Sequence, residues 1–171
     1  MLKVIGAVCV IGAAGLMGYT KSRSLHMHIQ QLKTLRKICM EIIGELTVGR
    51  IPLYEILLRI SGKCEPPFCD FLLAVCEQMQ AYDGSPFADI FSLQTDRKLS
   101  GVLTPEECEE WKKAGTFLTI SDQKVQVGLM RLYERELEGN IELLERGKRE
   151  KQRLYQTLGL MGGILLTILL L

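Results

Sequence analysis

Fourteen consecutive residues, "LGLMGGILLTILLL" from Leu158 to Leu171, carry no charge and nothing more polar than a threonine. A helix of that composition is apolar on every side and has to be covered all round, by protein or by lipid. Fourteen residues rise only about 21 Å as a helix, short of the roughly 30 Å hydrocarbon core of a bilayer. Extension back through Tyr155 gives about 25 Å, a short span that local thinning or a partner can accommodate. The expectation is a C-terminal membrane helix over 155–171.

The other end matches it. "MLKVIGAVCVIGAAGLMGYTKSR" has no charged residue between Val4 and Tyr19 and is closed by Lys21 and Arg23. Lys3 and the modest apolar run also suit a cleaved signal peptide, which would make the protein a secreted or periplasmic helical adaptor. No small-x-small cleavage site precedes the polar boundary, where Met17, Gly18, Tyr19 and Thr20 stand. An uncleaved N-terminal membrane helix over 1–20 is therefore preferred. Lys21, Arg23, Lys33, Arg36 and Lys37 follow the first apolar run, and Arg146, Lys148, Arg149, Lys151 and Arg153 precede the second. The positive-inside rule then places residues 21–154 in the cytosol, with both anchors entering from that side. The second basic block is expected at the membrane surface, attracting anionic headgroups at about 1 kcal/mol per residue. Gly159 with Gly163, and Ala14 with Gly18, have the spacing that lets helix backbones approach in lipid.

Charge is local rather than global. Lys plus Arg number 21 and Asp plus Glu 20, so nothing calls for nucleic acid or an acidic substrate. The six cysteines do not suggest a disulfide framework, because Cys39, Cys76 and Cys108 fall on apolar helical stripes, where a free thiol acts as a small hydrophobe. Reduced thiols agree with a cytosolic domain.

The middle of the chain reads as all-α, a bundle of about six helices flanked by the two membrane helices. Leu25, Ile29, Leu32, Leu35, Ile38, Ile42 and Leu46 recur at three and four, and Gly49 ends that helix. Pro52 opens a short second helix carrying Leu53, Ile56, Leu57 and Ile60, closed by Gly62. "CEPPFCD" leads into a third with Phe68, Phe71, Leu72, Val75, Cys76 and Met79 inward. Gly84 stops it, and Pro86 opens a fourth with Phe87, Ile90 and Phe91. In "LTPEEC", Thr104, Pro105 and Glu107 have the spacing of a capping box with proline in the first turn. The fifth helix turns Cys108, Trp111 and Leu118 inward. Ser121 or Asp122 caps the sixth, whose apolar stripe is read as Val125, Leu129, Leu132, Tyr133, Leu137, Ile141 and Leu144. No alternating run competes as a strand.

Chemistry is sparse. His26 and His28, two apart, point to different faces of a helix and do not chelate one metal. "CEPPFC" has no second cysteine pair, so no zinc site is expected. "SGKC" at 61–64 resembles a phosphate loop, but Leu57 stands where the pattern requires glycine. No cofactor and no catalytic constellation is expected. In the last helix, Glu134, Glu136, Glu138, Glu142 and Glu145 precede the basic block; they read either as a solvated face with pairs such as Glu142 and Arg146 spaced to interact, or as an acidic surface that is repelled by the membrane and meets a basic partner.

Four segments carry a family likeness. The start "MLKVIGAVCVIGAAGLMG", the stretch "EIIGELTVGRIPLYEIL" with Glu45, Gly49, Pro52 and Leu53, the stretch "AGTFLTISDQKVQ" with Gly115, Leu118, Ser121, Asp122 and Gln126, and the apolar tail stand in the order seen in the stage III sporulation protein AB family, which the chain resembles over nearly its full length. Thr119 departs from that pattern, standing where glycine is usual. The resemblance implies a membrane component of the complex assembled between mother cell and forespore during engulfment. It also implies a soluble part similar to the helical cytoplasmic domains of type II secretion and type IV pilus platform proteins. Such platforms dock a cytosolic hexameric ATPase, here stage III sporulation protein AA. Within the "TISDQKVQ" hinge, Asp122 is expected to cap the sixth helix. Gln126 is expected to contact another helix or the ATPase, with little effect on stability when replaced.

Overall fold

A computed structural model describes the backbone of residues 2–49, 51–81 and 84–170, and the side chains of residues 24–49, 51–81 and 84–148. Among the described residues there are six helices and no strand: α1 (Leu2–Val48), α2 (Leu53–Ser61), α3 (Phe68–Gln80), α4 (Phe87–Lys98), α5 (Pro105–Phe117) and α6 (Gln123–Leu170). Both expected anchors, 1–20 and 155–171, lie outside the residues whose side chains are described. Among the described residues, no helix is long and apolar enough to cross a membrane. The chain divides into two compact units, residues 30–139 and residues 1–29 with 140–171.

In the 30–139 unit, α1 and α6 pair antiparallel. Arg36 meets Glu134 and Glu138, the Cys39 thiol points at the Met130 carbonyl, and Gln123 reaches the Leu46 carbonyl. The four short helices lie between them in sequence and pack as neighbours, α2 on α3, α3 on α4 and α4 on α5. Their starts follow local chemistry. Pro52 and Pro86 stand just before α2 and α4, each accepting from the amide four residues on. Thr104 and Glu107 form the capping box expected for α5, with Pro105 in its first turn.

The core is apolar and aromatic. Leu32, Leu35 and Ile42 of α1, Leu57 of α2 and Leu72 of α3 are fully buried. Phe71, Phe91, Trp111 and Tyr133 join α3, α4, α5 and α6 in a chain of ring contacts, Phe71 standing edge-on to Phe91 at 5.0 Å. The buried polar side chains Ser61, Gln94, Thr95 and Gln126 each donate a hydrogen bond, as burial requires. Met79, expected inward, is half-buried.

The stripe of α6 holds as expected at Tyr133, Leu137 and Ile141 and differs in the first turns. There Val125 and Leu132 are each 48 % exposed and Leu129 is half-buried, whereas Gln126 and Met130 face the core. Over those turns the buried row starts one residue later than expected. The reason lies at the start of the helix, described below.

The side chains of the other unit are described along 24–29 and 140–148. Ile29 and Ile141 are buried there, Arg146 pairs with Glu142 at 3.0 Å, and Lys148 Nζ lies 3.0 Å from His26 Nδ1. A lysine ammonium is a donor only, so Nδ1 of His26 accepts in this contact. The side chains of Arg149, Lys151 and Arg153 fall outside the described residues.

Candidate functional site

The residues singled out in the sequence lie at two corners, and those corners meet. At the first, α1 ends on Gly49 with φ +72°, a conformation that side-chain-bearing residues rarely adopt. A Cβ there would also overlap the amide of Gln123. Glu45, one turn earlier, receives Arg59 Nη1 of α2 at 3.1 and 3.3 Å on its two oxygens. Pro52 then starts α2, and Leu53 is half-buried beside it.

At the second corner, α5 closes through successive short turns: Leu118 N to Gly115 O, Thr119 N to Thr116 O and Ile120 N to Phe117 O. Thr119 adds its hydroxyl to the Thr116 carbonyl at 2.7 Å, so the threonine contributes a bond of its own to this turn. Asp122 caps α6, its Oδ1 accepting from Lys124 N at 2.8 Å and Val125 N at 3.2 Å. Ser121 is exposed, and the capping bonds belong to Asp122. Asp122→Ala should lower stability by about 0.5–2 kcal/mol, read as a shift of the thermal midpoint.

Gln126 makes the first of the two contacts expected for it, with another helix. It is only 8 % exposed, and its amide donates to the Leu118 carbonyl at 2.7 Å. It therefore ties the start of α6 to the end of α5 inside the protein, and it does not face a partner. Gly115, on the inner side of α5, leaves no room for a Cβ, which would overlap the ring of Phe91.

Gln123 is the residue the sequence reading missed. Its amide donates to the Leu46 carbonyl at the end of α1 and fills the space beside Gly49. Carbonyls in the last turn of a helix lack intrahelical donors, so this contact satisfies one and locks the two corners together. A glutamine in the first turn of a helix carries no local signal of such a role; the pairing spans 77 residues.

Farther along the α1–α6 pair is an open groove of about 390 Å³, lined by Met40 and Ile43 of α1 and Arg131, Glu134 and Arg135 of α6. Met40 is 46 % exposed. Glu134 is already engaged, receiving Arg36 Nε, while Arg36 Nη2 reaches Glu138 at 2.7 Å. The hydrogen bond to Glu134, more than any other influence, raises the Arg36 pKa. Gly44 and Gly128 are exposed helical glycines, and a Cβ at either meets no atom within 4 Å. The fold therefore has no steric need of them, and Gly44→Ala or Gly128→Ala should each stabilise by about 0.5–1 kcal/mol in denaturant titration.

The thiols are poor nucleophiles. Cys39, Cys64, Cys69, Cys76 and Cys108 are free, and burial above all pushes Cys39 up to about 12 and Cys76 up to about 11. Cys64, in a smaller cavity of about 220 Å³ between α1 and the end of α2, is likewise raised to about 11, mainly by burial. Such thiols stay protonated near neutral pH. Among the described residues, no group of three His, Cys, Asp or Glu side chains could hold a metal ion.

These features define an all-helical protein in which a long antiparallel helix pair is joined to four short helices. The chain belongs to the stage III sporulation protein AB family, whose model matches residues 3–171. It is 26 % identical over 172 residues to stage III sporulation protein AB of Bacillus subtilis (strain 168), covering 99 % of both chains. A solved structure of a stage III sporulation protein AB has the same fold, with a TM-score of 0.66 and 18 % identity, covering 72 % of this chain and 98 % of that one.

Proposed function

We propose that this family member is a non-catalytic membrane scaffold of the secretion-like complex between mother cell and forespore, with a cytosolic helical domain that docks the ATPase stage III sporulation protein AA. The use made of the signature residues carries this reading. Glu45, Gly49, Gly115, Asp122 and Gln126 are spent on helix ends and close packing, which leaves recognition to the outer faces of the helices. The one-sided basic residues next to the two apolar segments support anchoring at both ends and contact with anionic lipid.

Affinity capture of the tagged full-length chain from sporulating cells tests the reading. The ATPase should co-purify with other membrane components of the complex. A preparation that retains those components and lacks the ATPase would sink the docking role. Hydrolysis of ATP by the purified chain, persisting after removal of contaminating ATPases, would sink the non-catalytic role. The intact mass of the N-terminus decides between an anchor and a cleaved signal peptide.

A further inference from the structure

We infer that the groove between α1 and α6 is a docking site for an acidic amphipathic helix of a partner protein. Three features of the groove point to that occupant. Its floor is apolar and deformable: Met40 is 46 % exposed beside Ile43, and methionine suits surfaces that must adapt to a partner. Its rim is cationic in a set pattern. Arg131 and Arg135 stand one turn apart on α6 and both line the groove; Arg135 Nε bonds the Arg131 carbonyl at 3.4 Å, and among the described residues neither arginine is in an ion pair. Glu134 does not neutralise them, because Arg36 holds it on the α1 side. Acids spaced i and i+4 on an incoming helix match this pair, and an apolar residue between them meets Met40.

The third feature is the glycines. Helical spacing places Gly44 one turn from Met40, and Gly128 one turn before Arg131, on the faces that border the groove. Both are dispensable to the fold, as shown by the open space around them. Small residues here let another helix approach closely, in the way ridges enter grooves between packed helices.

The inference rests on the scaffold reading only in taking the occupant to be a protein. To test it, Met40 is replaced by photoreactive benzoylphenylalanine in the full-length chain in sporulating cells, and the cross-linked peptide is sequenced. The expected adduct is on a peptide of another protein with acids four apart and apolar residues between. Arg131→Glu with Arg135→Glu should reduce its yield about tenfold or more, as loss of a complementary charge pair does. Gly128→Leu, whose Cβ meets no atom within 4 Å, should reduce it as well. No adduct, an adduct to lipid or to a second copy alone, or a yield indifferent to charge reversal would overturn the groove assignment. Retention of the ATPase by the Arg131→Glu/Arg135→Glu chain would show that the scaffold reading stands without it. Absence of the ATPase from the wild-type chain, with the acidic adduct present, would fail that reading and keep the groove.

Discussion

Gly115→Ala should destabilise the protein by about 1–3 kcal/mol, the range for overpacking a filled core. The added methyl would overlap Phe91, which is fully buried and cannot swing aside. Its ring is held by Phe71 at 5.0 Å, Trp111 at 5.2 Å and Phe87 at 5.6 Å, so relief for Phe91 displaces a neighbour. Alanine is otherwise the better helix former by up to about 1 kcal/mol, and that gain is already opposed here by the clash. The sign therefore separates the glycines: Gly115→Ala loses stability in denaturant titration, whereas Gly44→Ala gains it. A gain at Gly115 would mean that α4 and α5 are not packed as closely as described.

Gln126→Ala should also cost about 1–3 kcal/mol, because it leaves the Leu118 carbonyl in the interior without its donor. This differs from the expectation drawn from the sequence, in which Gln126 contacted another helix or the ATPase and its loss left stability nearly unchanged. Thermal unfolding of the full chain beside Asp122→Ala checks it. Both variants should melt below the parent, and Gln126→Ala by at least as much, since the Asp122 cap is exposed to competing water and the Gln126 bond is not. A Gln126→Ala chain that melts with the parent would restore the surface role.

Much of this protein was legible in its sequence because it is local. Periodicity at three and four marked the helices, and Gly49, Pro52, Gly62, Pro86 and the Thr104–Glu107 capping box marked their ends, since φ limits and unpaired amides act within one turn. The landmark segments and their order pointed to the family that the full-length match establishes.

Rotation of a helix about its own axis is not local. In the first turns of α6 two rows, 125–129 and 126–130, differ by one residue and both lead to the buried stripe at Tyr133, Leu137 and Ile141; the row containing a glutamine is the less hydrophobic choice. The tertiary structure takes that row because the Leu118 carbonyl waits at the end of α5 to receive the Gln126 amide. The same helix start lets Gln123 close α1 at Leu46, a partner 77 residues away in sequence. Helix existence and helix ends thus followed from short-range chemistry in the chain. Which residues in the first turns of α6 faced inward, and which glycines are buried against a ring or left open beside a groove, depended on groups brought together only by folding.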